Sequence, residues 1–398
     1  MRFALAQPDL RQALTIAGRF VATRSTLPVI TNLLLSADTA STVAAPTTPL
    51  RISATNLEMS ITLDVPATVD EPGAITLPAR LLTDLVNALP SAEPVAFDVS
   101  SAKSSARITC GRNTTTVKGV AASEFPLLPA MPATAPITLA AWVLREAIER
   151  VAFAAAEAGD TGRPALTSVC LSADAGTLCF AATDGFRLSR TCVALDLPDG
   201  ALPANALLPA RAAAEIARIC AGADPEANVA VAVEPGRVVC AIPGQDSGWQ
   251  RAVIAAQLID ARFPDISAII PTRHDAEVAI LIADLHRALR PARLFARDSN
   301  DRVLISAQAD DPDTVPALIV EAVSAETGDS RSHAPAIRID GTVQPFAINA
   351  VYLDELLASL AGEEQVLLHT TKPDRPIIFT LPGADHYVHV IMPMQIAR

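Results

Sequence analysis

The chain contains no run of about 18 or more uncharged apolar residues, and so it lacks the length of apolar sequence that a membrane-spanning helix needs. It also has no basic segment followed by a short apolar core after Met1, so nothing indicates secretion. The six cysteines form no Cys-x-x-Cys pair, and most of them lie in apolar, strand-like runs. We therefore expect a cytoplasmic protein whose cysteines are buried, reduced thiols.

Catalytic motifs are missing as well. All six histidines fall in the last third of the chain, and none has the spacing of a metal site on one helix. The chain lacks Gly-x-Ser-x-Gly, a glycine-rich phosphate loop and His-Glu-x-x-His. Asp184-Gly185 is better explained as a turn between strands than as a catalytic carboxylate. The sequence therefore predicts no catalytic residue, no metal site and no cofactor.

What the chain does contain is an internal repeat. Leu-Pro-Ala-Arg occurs at Leu77–Arg80 and again at Leu208–Arg211, each time at the start of an apolar helical pattern. Leu-Ser-Ala-Asp precedes both copies, and a Phe-Pro turn follows both, at Phe125 and at Phe263. A third, more diverged copy runs to the C-terminus, with Asn349 standing where the tetrapeptide would be. Three units of about 130 residues match the usual size of a domain.

Each unit is predicted to be an α+β domain, with two helices on one face of antiparallel sheets made of roughly eight short strands. The three domains are expected at residues 1–133, 134–274 and 275–398. Asp9 is predicted to cap the first helix. Two small and polar segments, Thr39–Pro49 and Ser324–Pro335, are predicted to be solvent-exposed loop insertions.

The charge distribution favours a polyanionic partner, although the formal net charge is −12. The predicted helical stretches at residues 10–24 and 285–297 carry three and four arginines and no acid. With the balanced stretch at residues 144–153, these segments sum to +7, so the rest of the chain carries −19. Basic helices on an acidic body are suited to meeting phosphates on one surface and repelling them elsewhere.

Several motifs resemble the bacterial DNA sliding clamp, the beta subunit of DNA polymerase III. They lie in order along the whole chain: Arg24-Ser-Thr-Leu-Pro-Val-Ile-Thr-Asn, Thr55-Asn-Leu-Glu-Met, Glu71-Pro-Gly-Ala, Leu77-Pro-Ala-Arg, Ala182-Thr-Asp-Gly-Phe-Arg-Leu, Arg262-Phe-Pro-Asp and Val390-Ile-Met-Pro-Met. The resemblance implies a head-to-tail homodimer in which six similar domains close a ring, with helices lining the hole and sheets outside. It further implies a non-catalytic processivity factor that encircles duplex DNA and slides without sequence specificity.

The resemblance also implies site residues. The DNA-facing arginines are expected to be Arg24, Arg80, Arg163 and Arg211, while Arg297 and Arg302 are added on charge and repeat position. The dimer interface is predicted to join Thr115 and Val117 of one chain to Leu294 and Phe295 of the other.

A pocket for partner peptides is implied at the junction of the second and third units. Its residues are expected to be Thr183, Gly185, Phe186, Arg187, Leu188, Pro264, Ile269, Val390, Met392, Pro393 and Met394. The partners implied are the polymerase alpha subunit, the clamp loader, repair polymerases and ligase, each through a short motif of the Gln-Leu-x-Leu-Phe type. Ile266, Ser267, Ala268 and Gln395 depart from the family pattern, which affects partner preference more than the pocket itself.

Three alternative interpretations belong to other classes. A specialised clamp paralogue, for example one that confers resistance to a clamp-targeting antibiotic, would use the same ring. An enzyme with a diffuse site conflicts with the scarcity of histidine and the missing motifs. A repeat adhesin or scaffold would need a secretion signal.

Overall fold

The structure is a computed structural model, and the description that follows covers residues 1–38, 49–132, 137–157, 159, 162–174, 176–195, 197, 202, 206–244, 248–271, 273–308 and 315–396. The predicted insertion at Thr39–Pro49 therefore lies outside the described residues, apart from Pro49. Among the helices described, none combines the length and the apolar character that crossing a membrane requires.

Nearly the same order of elements occurs three times along the chain, and the first repeat has one additional short strand, β5. The first repeat contains β1 Arg2–Ala6, α1 Gln7–Ala17, β2 Asn32–Ala37, β3 Leu50–Thr55, β4 Met59–Val65, β5 Thr68–Glu71, β6 Gly73–Pro78, α2 Ala79–Ala88, β7 Pro94–Ser100, β8 Ser105–Cys110 and β9 Asn113–Lys118. The second contains β10 Ile137–Ala140, α3 Ala141–Ala152, β11 Ser168–Asp174, β12 Thr177–Thr183, β13 Arg187–Ala194, β14 Ala206–Pro209, α4 Ala210–Cys220, β15 Asn228–Glu234, β16 Arg237–Pro243 and β17 Arg251–Gln257. The third contains β18 Ala276–Leu281, α5 Ile282–Ala296, β19 Arg302–Gln308, β20 Ala317–Ser324, β21 Gly328–Gly341, β22 Phe346–Asn349, α6 Ala350–Ser359, β23 Gln365–Thr370, β24 Ile377–Leu381 and β25 Ala384–Ile391. The predicted α+β class is confirmed, and the strand pairs are antiparallel.

By its contacts the described chain divides into two compact units, which do not coincide with the three predicted domains. The first unit joins Met1–Arg145 to Glu215–Leu258, and the second joins Glu146–Ala214 to Ile259–Arg398. The middle repeat is divided because its two groups of strands pair with different neighbours. In the first unit β17 pairs with β4, and in the second unit β13 pairs with β25. The exact domain boundaries stay a prediction.

The helices belong to the core because their apolar residues recur at helical spacing. On α1 the buried side chains include Leu10, Ala13, Leu14 and Ala17, which fall on one face. This face contacts β3, β4 and α2 in the first unit. In the second unit α5 buries Leu285 and residues at equivalent spacing against β20 and β21.

The start of α1 tests the capping prediction. α1 begins at Gln7 rather than after Asp9, so the prediction that Asp9 caps it is wrong. Pro8 occupies the first turn, where its fixed φ and missing N–H are tolerated, and the buried Gln7 amide donates to the Val86 carbonyl at 2.7 Å. The cap of α6 was not predicted: the Asn349 side chain accepts hydrogen bonds from the backbone N–H of Val351 and of Tyr352.

The prediction of a loop insertion at Ser324–Pro335 is wrong. Ser324 ends β20, its hydroxyl accepts from the backbone N–H of Thr327 at 3.1 Å, and β21 then returns antiparallel to β20 as far as Pro335. The polar composition reflects an exposed strand of a hairpin rather than a loop.

The prediction that all cysteines are reduced is also wrong for one pair. Cys179 on β12 lies directly opposite Cys192 on β13, and the two form a disulfide. Two residues facing each other across adjacent strands bring their Cβ atoms close enough for this bond, and no sequence spacing reveals such a pairing. Cys110, Cys170, Cys220 and Cys240 are buried free thiols, as predicted.

Candidate functional site

The predicted peptide pocket begins at the tight turn between β12 and β13. The Asp184 carboxylate accepts hydrogen bonds from the backbone N–H of Phe186 at 2.8 Å and of Arg187 at 2.9 Å. Gly185 has a φ of +94°, a conformation that glycine adopts without strain. The Thr183 hydroxyl closes the turn by donating to the Arg187 carbonyl at 2.6 Å. The turn interpretation of Asp184-Gly185 is confirmed, and the turn holds Phe186 outward with 64% of its surface exposed.

The C-terminal tail lies beside this turn because β25 pairs with β13. Leu188 is opposite Val390, and the backbone N–H of Met392 donates to the Phe186 carbonyl at 2.8 Å. Met392 is 39% exposed, so its thioether side chain stands next to the exposed Phe186. Two residues later the Met394 N–H donates to the carbonyl of Ala347 on β22 at 2.7 Å, which fixes the course of the tail.

The segment after β17 carries the remaining predicted pocket residues. Phe263 is buried in a cluster with Ala181 of β12 and Leu207 of β14, and Ile266 packs against the same cluster. Ala181 lies two residues before Thr183 along β12, so the buried Phe263 is held near the start of the turn. Pro264 and Ile269 are exposed. The linker is therefore held against the strand that leads into the turn.

The exposed and buried members of the predicted pocket have different roles. Phe186, Pro264, Ile269 and Met392 offer exposed apolar surface, and Pro393 and Met394 are half-buried. Thr183, Arg187, Leu188 and Val390 are each at most 8% exposed, so they form the framework beneath that surface. Methionine and phenylalanine side chains on a fixed turn make an adaptable apolar surface for a short peptide.

Arg187 is held by a network that sequence reasoning did not find. Its guanidinium pairs with Asp184 at 3.0 Å and with Glu355 of α6, and it donates to the Phe153 carbonyl at 2.7 Å. It also lies 4.4 Å from the centre of the Tyr352 ring. Burial and the nearby Asp184 carboxylate raise the pKa of the Tyr352 phenol. Phe153 and Glu355 are 34 and 168 residues from Arg187 in sequence and belong to no motif, so only the fold brings them together.

His389 lies in the same framework on β25, opposite Ser189 of β13. It is fully buried, and within the described part of the chain neither of its ring nitrogens has a hydrogen-bond partner. The ring stacks on Phe153 with 5.3 Å between centroids. Burial, followed by the positive charge of Arg187, lowers the pKa of His389 to about 3, so the ring is neutral at neutral pH.

An equivalent constellation exists in the first unit, around the turn between β3 and β4. There the backbone N–H of Gln257, at the end of β17, donates to the Glu58 carbonyl at 2.8 Å, just as Met392 donates to Phe186. Together with Leu57 and Leu127 these residues line a cavity of about 450 Å³. The repeat thus extends to the predicted peptide pocket, hereafter the groove, although the side chains differ between the two units.

Exposure of the predicted DNA-facing arginines follows from their place in the repeat. Arg80 and Arg211 are each the second residue of a helix, α2 and α4, that begins directly after Leu-Pro. The helix dipole disfavours a cation at a helix N-terminus. The Arg80 side chain is 97% exposed, so packing does not explain why an arginine occupies this position. Arg24, Arg163, Arg211 and Arg297 are exposed as well.

Two details change the charge argument from the sequence. The α5 arginines are less free than the sequence indicates, because Arg287 pairs with Asp284 at 2.8 Å and Arg293 pairs with Asp354 of α6. Arg302 lies on β19 rather than on a helix, and its guanidinium is 3.5 Å from the Gln395 carbonyl in the tail. Arg302 therefore has a contact of its own within the second unit.

The residues predicted for the dimer interface differ in exposure, and the interface stays a prediction. Val117 is buried inside its own unit, and Phe295 is half-buried against the core of the second unit. Thr115 and Leu294 are exposed. β9 stands at the edge of its five-stranded sheet, and residues 328–335 of β21 pair with β20 along one side only, within the described residues.

One group of potential metal ligands in the second unit is distinct from the residues predicted for the pocket. It consists of His274, Glu277 and His369, whose donor atoms all lie within 4.8 Å of one another. The sequence prediction of no metal site considered only helical spacing, and Glu277 and His369 face each other across two strands instead.

Comparison with known proteins gives a consistent picture. Residues 1–129 match the family model for the N-terminal domain of the DNA polymerase III beta subunit, and residues 138–265 match that for its central domain. The chain is 28% identical over 396 residues to the beta sliding clamp of Synechococcus elongatus, with both chains covered in full. It superposes on the DNA polymerase sliding clamp of Bacillus subtilis with a TM-score of 0.86 at 23% identity, again over 100% of both chains. The Pseudomonas aeruginosa sliding clamp bound to griselimycin gives the same TM-score, identity and coverage.

Proposed function

Because the chain belongs to the DNA polymerase III beta subunit family, we propose that it is a processivity factor that encircles duplex DNA as a homodimeric ring and tethers other replication proteins. The family is non-catalytic, so the chain needs binding surfaces rather than a reactive centre. The observation that carries the tethering role is the turn that presents Phe186 beside Met392, with the Asp184 hydrogen bonds holding it in place.

The DNA-binding part of the proposal rests on arginines that serve no packing purpose. Phosphate contacts carry no sequence information, and duplex DNA presents about one charge per 1.7 Å of its axis. Long exposed side chains such as Arg24, Arg80 and Arg211 exchange one phosphate for the next at little cost. A ring held by such contacts slides, and topology rather than affinity keeps it on the DNA.

The last strand of a repeat pairs with a strand of the preceding repeat in both units, and this rule supports a specific way to close the ring. The last strand of the second repeat, β17, pairs with β4, and the last strand of the third repeat, β25, pairs with β13. The last strand of the first repeat is β9, whose outer edge is unpaired among the described residues. By the same rule β9 of one chain pairs with the first half of β21 in a second chain, since that segment corresponds to β4 and β13.

This arrangement replaces a side-chain interface with main-chain pairing. By analogy with the pairing of Ile254 with Ile61 in the first unit, we propose that Thr115 of one chain lies opposite Ser330 of the other. Each chain offers one β9 edge and one β21 edge, so two chains close head-to-tail with two identical junctions. Exposed strand edges are otherwise a liability for aggregation, which pairing removes.

The partner-binding part of the proposal follows from the groove. Leu and Phe side chains of a short linear motif would cover the exposed surfaces of Phe186, Ile269 and Met392. Burying each such side chain contributes about 1.5–3 kcal/mol, and the loss of freedom on association offsets much of it. Isolated peptides from polymerase, clamp loader or repair proteins should therefore bind near micromolar, and tethering on DNA strengthens the attachment through effective concentration.

Native mass spectrometry at micromolar concentration tests the assembly on which this function depends. A dimer of the 398-residue chain is the expected species. A wild-type protein that is monomeric at that concentration would contradict the ring.

A further inference from the structure

The cluster of His274, Glu277 and His369 lies on the sheet of the second unit, where His369 is two strands from the pocket residue Val390. Glu277 is on β18, and His369 is directly opposite it on the neighbouring strand β23. His274 precedes β18, on the segment that continues from the pocket linker. Two rings and one carboxylate thus converge from two parts of the chain, residues 274–277 and His369, and the two imidazole centroids are 4.5 Å apart.

The distances between donor atoms match those of a metal site. His369 Nδ1 lies 3.5 Å from Glu277 Oε2, and His274 Nε2 lies 3.9 Å from the same oxygen. Tetrahedral Zn²⁺ with ligands at about 2.0–2.2 Å separates its donor atoms by roughly 3.4 Å. Small rotations of the exposed His274 side chain are enough to reach that spacing.

His369 supplies a second, independent observation. The residue is 8% exposed, and its Nδ1 is buried without a hydrogen-bond partner in the described structure. Its other nitrogen, Nε2, lies 2.8 Å from the Thr380 hydroxyl. If Nε2–H donates to Thr380, the Nδ1 lone pair points into the cluster, which is the tautomer that a metal ligand requires.

Charged groups beside the cluster orient the Glu277 carboxylate. Burial, and then the neighbouring His274, lower the pKa of His369, while Glu277 acts in the opposite direction. Arg338 binds Oε1 of Glu277, which leaves Oε2 facing the histidines, and Asp340 offsets the charge of Arg338 at 2.6 Å.

We infer that His274, Glu277 and His369 bind one Zn²⁺ ion per chain. Two imidazoles and one carboxylate are donors that this ion prefers, and a three-ligand site leaves a fourth position for water beside the half-exposed His274. The ion would tie the end of the linker to the sheet through β18 and β23. It has no reaction to perform, so its role is to fix the chain where the third repeat begins.

Cobalt provides the direct probe, because Co²⁺ takes the same ligands and absorbs visible light when bound in a tetrahedral site. Untagged full-length protein is titrated with Co²⁺, and Zn²⁺ is then added in competition. We expect saturation at one Co²⁺ per chain and complete displacement by Zn²⁺. The absence of saturable binding would overturn the inference.

Variants locate the site. His274→Ala removes an exposed ligand without disturbing the core. It should weaken Zn²⁺ binding by at least about tenfold, because loss of a residue that merely hydrogen-bonds to a metal ligand already lowers metal affinity by about 10- to 100-fold. His386→Ala is the matched control, because His386 is an exposed histidine outside the cluster and binding should stay unchanged. Thr380→Val keeps the shape but removes the hydrogen bond to His369, and it should cause a smaller loss. Equal affinity for wild type and His274→Ala would show that the ion binds elsewhere.

Discussion

Replacing Phe186 by alanine removes the most exposed aromatic surface of the proposed groove without removing the turn that presents it. The turn depends on Asp184 and on the backbone N–H groups of Phe186 and Arg187, which alanine retains. A phenylalanine side chain presents about 200 Å², so the 64% exposure of Phe186 leaves roughly 130 Å² for a peptide. If a bound peptide covers about half of that area, the substitution weakens binding by about 1.6 kcal/mol at 25 cal/mol per Å².

This free energy corresponds to a roughly 15-fold increase in Kd. Fluorescence anisotropy with a labelled Gln-Leu-x-Leu-Phe peptide measures the change. Leu127→Ala is the matched control, since Leu127 is an exposed leucine that lines the equivalent cavity in the first unit, and its Kd should stay within about twofold of wild type. A Phe186→Ala protein with unchanged Kd, or an equal loss of affinity in both variants, would refute the assignment of the groove.

Three further substitutions and one deletion test separate parts of the proposed function. His389→Leu should make the free energy of unfolding less sensitive to acid. The pKa of His389 is about 3 in the folded protein and 6.5 in the unfolded chain. The contribution of neutral His389 to stability is therefore complete above pH 6.5 and falls by up to about 1.4 kcal/mol per pH unit towards pH 3. Urea midpoints at pH 7 and 4.5 report this, and a parallel pH dependence in both proteins would contradict it. Thr115→Pro should give a monomer by native mass, because proline has no N–H to donate to a neighbouring strand. Thr115→Ala is the control and should remain dimeric. A dimeric proline variant would exclude β9 from the junction between the chains. Deletion of Met392–Arg398 should abolish peptide binding but keep the dimer, and peptide binding at wild-type affinity would place the pocket elsewhere. Arg80→Ala should lower the salt slope of DNA binding by about 0.9 for each phosphate that the variant no longer neutralises. Arg51→Ala should leave the slope unchanged, because Arg51 is held by Asp38 at 2.9 Å, whereas Arg80 lies 3.9 Å from its partner Asp84. Equal slopes in all three proteins would remove Arg80 from the DNA surface.

The sequence predicted those features that depend on local pattern and on the repeat. The turn at Asp184-Gly185 and the helix that starts after Pro78 are each determined by neighbouring residues, and both are present. The family assignment was also accessible, because its motifs occur in order along the chain.

Features that depend on pairing between distant strands could not be predicted from the sequence. The disulfide of Cys179 with Cys192 and the opposition of Glu277 and His369 both follow from register, which composition does not reveal. The same limit applies to Arg187, whose pocket role was predicted but whose partner Glu355 was not. The polar segment after Ser324 was mistaken for a loop because an exposed strand and a loop have similar composition.

In the proposed function, topology and not affinity holds the protein on DNA. The direct measurement loads the protein onto a closed circular duplex, washes it at a salt concentration that breaks phosphate contacts, and then cuts the circle once. We expect the protein to survive the wash on closed circles and to be released as soon as the DNA is linear. Equal retention on circular and linear DNA after the same wash would refute topological binding.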